Sequence, residues 1–230
     1  MQILGYQKTT LLDFPSHVAA TIFTGGCNFR CPFCHNSDLI LHPNNSLITE
    51  NEIFAFLQKR KNVLSGICIT GGEPTLQSDL SSFISRVRSL GYKIKLDTNG
   101  YRPEVLASLL EQELLDYIAM DIKTGLSNYS NLCGLPTLDT DKIKESISII
   151  ENSAIDYEFR TTVVKQYHSE QDFFEIANML SPQSSYYLQS FTDSGNILTP
   201  DLSACDTETL NSYLAIVKKQ LPHSFLRGIE

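Results

Sequence analysis

Residues 17–36 read His17-Val18-Ala19-Ala20-Thr21-Ile22-Phe23-Thr24-Gly25-Gly26-Cys27-Asn28-Phe29-Arg30-Cys31-Pro32-Phe33-Cys34-His35-Asn36. The first seven, rich in β-branched and apolar side chains, predict a strand over 17–23. Two glycines then break the pattern, and three cysteines follow in a Cys-x3-Cys-x2-Cys array within eight residues. Three thiols on one loop directly after a strand point to metal rather than to disulfides.

The rest of the chain repeats the strand-then-helix theme. Further strands are expected over 66–70, 93–97, 117–121, 157–163 and 186–189. Between them run helical patterns. Thr49-Glu50-Asn51-Glu52 has the form of a capping box, after which Ile53, Phe56 and Leu57 would face a sheet. Leu80, Phe83, Ile84 and Val87 follow at i, i+3, i+4 and i+7, with Gly91 able to leave the helix left-handed. Pro103 suits a first helical turn. Later helices are marked by Ile143, Ile147 and Ile150, by Phe173, Ile176, Ala177 and Leu180, and by Leu210, Tyr213, Leu214 and Val217. The expected fold class is α/β, a partial (β/α)6 barrel of parallel strands with outer helices. Its working site would lie at the C-terminal strand ends.

Composition agrees with a single core. The 230 residues are 42% hydrophobic, enough for one domain spanning 1–230, with its core over about 17–200, a short N-terminal extension and a C-terminal helix. A net charge of −8 opposes nucleic-acid binding, which needs a basic footprint. No run approaches a membrane span, and the first residues lack the basic start and apolar run of a signal peptide, so no membrane association and a cytoplasmic location are expected.

The metal expected on Cys27, Cys31 and Cys34 follows from the ligand count. A cubane iron–sulfur cluster has four irons, so three thiolates leave one without a protein ligand. Catalytic metal sites differ from structural ones by such an open position. Zinc would need a fourth ligand, and His35 is poorly spaced to supply it. Of the other cysteines, Cys68 lies in an apolar strand and reads as a small core residue. Cys133 and Cys205 have no partner at ligand spacing, which argues against a second cluster. At later strand ends stand Gly71-Gly72-Glu73-Pro74, Asp97-Thr98-Asn99-Gly100, and Asp121-Ile122-Lys123. The glycines would let a charged ligand lie against backbone, with Glu73 near a cationic group. Asp97, Thr98, Asp121 and Lys123 would project toward one rim.

With Phe33 just before its last cysteine, the loop resembles the signature of the radical S-adenosylmethionine (SAM) superfamily. The resemblance implies a [4Fe-4S] cluster on Cys27, Cys31 and Cys34, with SAM chelating the open iron and its adenine against the backbone of Phe33, Cys34 and His35. Gly71, Gly72 and Glu73 resemble the family's motif for the SAM amino group. Asp97, Thr98, Asn99 and Asp121 resemble strand ends of glycyl-radical activating enzymes, where Asp97, Thr98 and Asp121 would collect a monovalent cation. Lys123, Arg160 and Gln189 match further SAM-side positions; a histidine found on the sixth strand of some relatives is replaced here by Leu188-Gln189-Ser190-Phe191. No ferredoxin-like insert with four more clustered cysteines is present.

Gly5-Tyr6-Gln7-Lys8-Thr9-Thr10-Leu11-Leu12-Asp13-Phe14-Pro15, Met120-Asp121-Ile122-Lys123 and Phe159-Arg160-Thr161-Thr162 resemble the anaerobic ribonucleoside-triphosphate reductase activating proteins, over roughly residues 3–200. This implies reductive cleavage of SAM to a 5′-deoxyadenosyl radical that takes hydrogen from a backbone glycine of a partner. The partner would be a glycyl-radical enzyme, anaerobic ribonucleotide reductase or another, and a flavodoxin- or ferredoxin-type protein would supply electrons. A radical SAM enzyme acting on a small molecule shares every motif. An iron–sulfur electron carrier would instead have four cysteine ligands and no use for Gly72, Asp97 or Asp121.

Overall fold

The computed structural model describes residues 1–43, 48–193 and 195–229. Alternation of inward and outward side chains builds one eight-stranded sheet in the order β1 to β8. The expected six strands form as β2 (Ala19–Thr24), β3 (Gly66–Gly71), β4 (Lys93–Thr98), β5 (Tyr117–Asp121), β6 (Asp156–Val163) and β7 (Tyr186–Ser190). All neighbours among them are parallel. Two strands were not expected. In place of the N-terminal extension, β1 (Ile3–Thr10) pairs antiparallel with β2, and after the C-terminal helix β8 (Ser224–Arg227) adds parallel to β7.

The helices are α1 (Ser37–Leu41), α2 (Glu50–Arg60), α3 (Leu80–Ser89), α4 (Pro103–Glu111), α5 (Tyr129–Leu132), α6 (Thr140–Glu151), α7 (Glu170–Met179) and α8 (Thr207–Lys218). Start signals act as read: Glu52 N donates to Thr49 Oγ1 at 3.3 Å, and Thr49 N donates to Glu52 Oε2 at 2.8 Å. Pro103 opens α4, and Gly91 has φ +95°. Ile53, Leu57, Phe83, Ile84, Val87, Ile147 and Ile176 pack against the outer sheet face with Ile22, Ile67, Ile69, Ile94, Leu96, Ile118 and Phe159. Phe56 instead stays half-buried against Tyr6 of β1, ring centroids 5.1 Å apart. The apolar core is thus the layer between sheet and helices.

The inner face is polar. Lys95, Asp97, Asp121, Glu158 and Arg160 alternate with those apolar residues along β4, β5 and β6. Below them the β1–β2 connection closes the sheet end opposite the cysteine loop. Phe14 lies there, buried against Gly66 and 6.0 Å from the Tyr117 ring, while Thr21 Oγ1 donates to Asp13. This gives the 11–15 segment of the N-terminal motif a structural role. No helix among the described residues is long and apolar enough to cross a membrane.

Candidate functional site

The C-terminal strand ends open into a cleft of about 860 Å³, mouth included, lined by Cys27, Cys31, Cys34, Asp97, Lys123, Arg160 and neighbouring groups. The cysteine loop follows β2 and is held by backbone on several sides. Gly26 N donates to Leu39 O at 2.8 Å, Arg30 N to Cys133 O at 2.9 Å, and Thr199 N to Pro32 O at 2.9 Å. Asn36 Nδ2 donates to Gly71 O at 3.0 Å.

All three thiols face this cleft, Cys31 buried and the other two partly so. Burial pushes the Cys27 thiol up to about 12, helped by the nearby Glu73 charge, and burial also raises Cys34. Cys31 moves the other way: the neighbouring Cys133 thiol lowers it, more than burial raises it. A metal bound by these cysteines would have to displace their protons, since thiolates are the ligands.

The glycines at the end of β3 make a close backbone contact with the cysteine loop. A Cβ on Gly72 would lie 1.8 Å from Gly26 O, and one on Gly71 would lie 2.3 Å from Thr24 N; Gly71 also has φ +117°. Their missing side chains let the cysteine loop close on β3, with Gly72 N donating to Thr24 O and Glu73 N to Gly26 O, both at 2.8 Å. Glu73 lines the cleft and is hydrogen-bonded within the chain. Its Oε1 accepts from Thr75 N at 3.1 Å, Thr75 Oγ1 at 2.6 Å and Thr98 Oγ1 at 2.8 Å, and its Oε2 accepts from Asn99 N at 2.7 Å. It ties β3 to β4, and burial raises its pKa. Asn99 continues the brace, donating Nδ2 to Asn28 Oδ1 at 2.8 Å beside Cys27.

Across the cleft runs a row of alternating charges. Lys95 Nζ donates to Asp97; Arg160 Nη2 donates to Asp97 Oδ2 at 3.0 Å and its Nε to Asp121 Oδ1 at 2.5 Å; Lys123 Nζ donates to Asp121 Oδ2 at 2.9 Å. Burial would raise both carboxyls, yet Arg160, with Lys95 or Lys123, holds them below the usual carboxylate range. Burial would likewise lower Lys95 and Lys123, and the aspartates reverse it. The row thus presents Lys123 and Arg160 to the cleft together with the carboxylates that hold them, opposite the thiols. Of the three residues expected around a monovalent cation, Thr98 donates its hydroxyl hydrogen to Glu73 at 2.8 Å, and Asp97 and Asp121 are bridged by the Arg160 guanidinium.

The remaining expected residues also reach the cleft. Phe33 is buried 6.1 Å from His168, and the His35 ring, its pKa lowered by burial, meets Phe191 at 5.5 Å. Gln189 lines the far wall and accepts from Arg227 Nη1 at 3.3 Å. Lys95, Glu158 and Arg227 escaped the sequence reading. Glu158 and Arg227 form a two-armed pair, each arm 3.0 Å, behind Gln189. Period-two spacing from Asp97 and Arg160 was the signal for Lys95 and Glu158.

The sequence profile of the radical SAM superfamily matches residues 21–180. This chain belongs to the radical SAM superfamily. It is a radical SAM enzyme, and membership implies a [4Fe-4S] cluster and SAM. The residues present fit both: three thiols on one cleft wall, and opposite them the Lys123 and Arg160 cations fixed by Asp121 and Asp97. A Methanocaldococcus jannaschii protein with the provisional name glycyl-radical enzyme activating enzyme is 33% identical over 194 residues, 82% of this chain and 79% of that one. A 7-carboxy-7-deazaguanine synthase of Koribacter versatilis is 32% identical over 63% of this chain and 61% of its own length. In fold, the chain is similar to Streptococcus suis SuiB bound to its precursor peptide SuiA, with TM-score 0.68 and 16% identity, over 91% of this chain and 48% of SuiB.

Proposed function

We propose that this radical SAM enzyme is a glycyl-radical enzyme activating enzyme whose partner is anaerobic ribonucleoside-triphosphate reductase, and that residues 1–230 act as one domain. The observation that carries the reading is the meeting of three thiols and a charge row on one cleft. Support for a protein substrate comes from the relative named as an activating enzyme, which aligns over most of both chains, whereas the deazaguanine synthase aligns over less of each.

Cys27, Cys31 and Cys34 would hold the cluster, and SAM would lie between it and the row from Asp97 to Lys123. When bound, the reduced cluster supplies the electron that splits SAM into methionine and a 5′-deoxyadenosyl radical. The chain's own residues supply placement. Lys123 and Arg160 offer positive charge to a ligand carboxylate, and their ties to Asp121 and Asp97 fix both heads before the ligand arrives. Phe33 and His35 border the cleft with aromatic surface suited to a purine. The glycyl segment of the partner would enter by the open mouth, with a flavodoxin- or ferredoxin-type protein as electron donor.

The test is anaerobic reconstitution with iron and sulfide, followed by SAM, a reductant and the purified reductase subunit. A doublet glycyl signal in electron paramagnetic resonance (EPR) spectra is expected, and its loss in Cys31→Ala. Deoxyadenosine formed catalytically with a small substrate, and no protein radical, would overturn the reading.

A further inference from the structure

The chain leaves β5 after Asp121, and from there to Thr124 side chains take over much of what a strand ladder would do. Thr161 Oγ1 donates to Ile122 O at 2.6 Å, Lys123 N donates to Tyr129 Oη at 3.2 Å, and Thr124 Oγ1 donates to Asp172 Oδ1 at 2.7 Å. The Lys123 carbonyl is met by the ring of His168, with Nε2 at 2.9 Å. Of the five histidines, His168 alone is buried. It lies between β6 and α7, packed against Phe33 of the cysteine loop and Phe173 of α7 at ring-centroid distances of 6.1 and 5.9 Å. Its own carbonyl accepts from Tyr213 Oη of α8 at 3.1 Å.

The partners of the ring decide its tautomer. A carbonyl can only accept, so Nε2 carries a hydrogen toward Lys123 O. On the other side Val164 N donates to Nδ1 at 3.1 Å, so Nδ1 is bare. The Val164 carbonyl, 3.3 Å from Nδ1, already accepts from His168 N at 3.1 Å and does not need the ring. The imidazole is thus held by two backbone groups, with its single proton aimed at Lys123. Lys123 is then fixed at both ends, its main chain by His168 and Tyr129 and its Nζ by Asp121 at 2.9 Å. A carbonyl deprived of its donor turns toward another, and the peptide plane that turns carries the lysine side chain with it.

We propose that His168 is a positioning residue, whose Nε2–H holds the Lys123 carbonyl and so sets where the Lys123 ammonium meets the carboxylate of SAM. The proposal rests on the reading of Lys123 as a residue that faces SAM. It links that residue to the cysteine loop, because the ring that holds Lys123 also packs against Phe33.

The experiment measures SAM affinity by calorimetric titration of iron-loaded wild type, His168→Phe, His168→Gln, Lys123→Met and the His168→Phe/Lys123→Met double variant. His168→Phe keeps the ring packing and removes the donor; its SAM dissociation constant should rise about tenfold, the low end for losing a group that orients a ligand-binding one. His168→Gln places an amide N–H near the former Nε2 and should recover most of that loss. The double variant should bind no more weakly than Lys123→Met, since two residues that act as a unit do not add. Wild-type affinity in His168→Phe beside a weakened Lys123→Met would overturn the proposal, as would losses that add, or a glutamine variant no better than phenylalanine. Unchanged affinity in Lys123→Met would instead bring down the reading of Lys123 as facing SAM, and the proposal with it. A second measurement needs neither cluster nor a folded variant: nitrogen-15 imidazole spectra of the cluster-free wild type, in which the slowly exchanging ring N–H marks the buried histidine. Nε2 protonated and Nδ1 bare is expected, and an Nε2 without its proton would overturn the proposal.

Discussion

The carbonyl oxygen of Gly26 occupies the place where residue 72 would carry its Cβ, 1.8 Å from the ideal position. The two glycines bind the cysteine loop to the end of β3 backbone to backbone, and neither strand end can yield without moving a thiol. Gly72→Ala should therefore displace Cys27 relative to Cys31 and Cys34. The expected cost is about 1–3 kcal/mol, the range for forced overpacking, with iron per chain after reconstitution well below wild type. Gly5→Ala is the control, since its Cβ would meet Phe23 at an ordinary 3.9 Å. Thermal melting and an iron assay read both variants; normal iron content in Gly72→Ala would show that the loop can shift.

Arg160 is the hinge of the charge row, and its removal leaves Asp97 and Asp121 facing each other with one amine apiece. Arg160→Gln should cost about 3–5 kcal/mol, as is usual when one partner of a buried ion pair is deleted. The pH dependence gives a sharper check. Both carboxyls have folded-state pKa values below their unfolded ones. Their stabilisation is complete above about pH 4, the ordinary carboxylate pKa, and is lost as the pH falls through the folded values. Without Arg160 both acids bind protons more readily, so the acid limb of the melting-temperature profile should move to higher pH. Superimposable limbs would mean that the guanidinium does not hold the acids ionised.

Much of this was legible in the chain, for identifiable reasons. Parallel strands buried on their outer face read as short apolar runs, which is why β2 to β7 were found within a few residues of their bounds. β1 mixes Gly5, Gln7 and Lys8 on an exposed edge, and β8 has four residues; neither shows a pattern that local reading detects. The cysteines, Asp97, Asp121, Lys123 and Arg160 stood out because strand ends are where such groups gather. The four donors to Glu73, from Thr75, Thr98 and Asn99, were not legible, because they are a tertiary arrangement. Lys95 and Glu158 were not singled out, because only the fold shows that the inner sheet face buries charged groups.

The remaining thiols separate ligation from packing. Cys68 is buried on the inner face of β3, 3.9 Å from Lys95 Nζ, and Cys205 is buried in the apolar core. Cys68→Ala and Cys205→Ala should each retain a full complement of iron. Cys27→Ala, Cys31→Ala and Cys34→Ala should each lose cluster uptake while keeping the far-ultraviolet circular dichroism of the wild type, because the sheet does not depend on the metal. Iron loss in Cys68→Ala matching that in Cys34→Ala would contradict the three-thiol assignment.

Glu73 decides between two opposed effects. Its carboxylate is buried, which favours replacement by a neutral side chain, and it accepts four hydrogen bonds, which opposes it. In Glu73→Gln one oxygen becomes an NH2 group, which must face either Asn99 N–H or the Thr75 and Thr98 donors. Leaving a buried donor unmet costs about 1–3 kcal/mol, and two donors pointed at each other add repulsion. The variant should therefore be less stable than wild type even though a buried charge has been removed. Because Asn99 also reaches Asn28 and Cys27, its displacement should weaken SAM binding to the reconstituted protein, measured by calorimetric titration. A Glu73→Gln protein more stable than wild type, with unchanged SAM affinity, would show that desolvation outweighs the brace between β3 and β4.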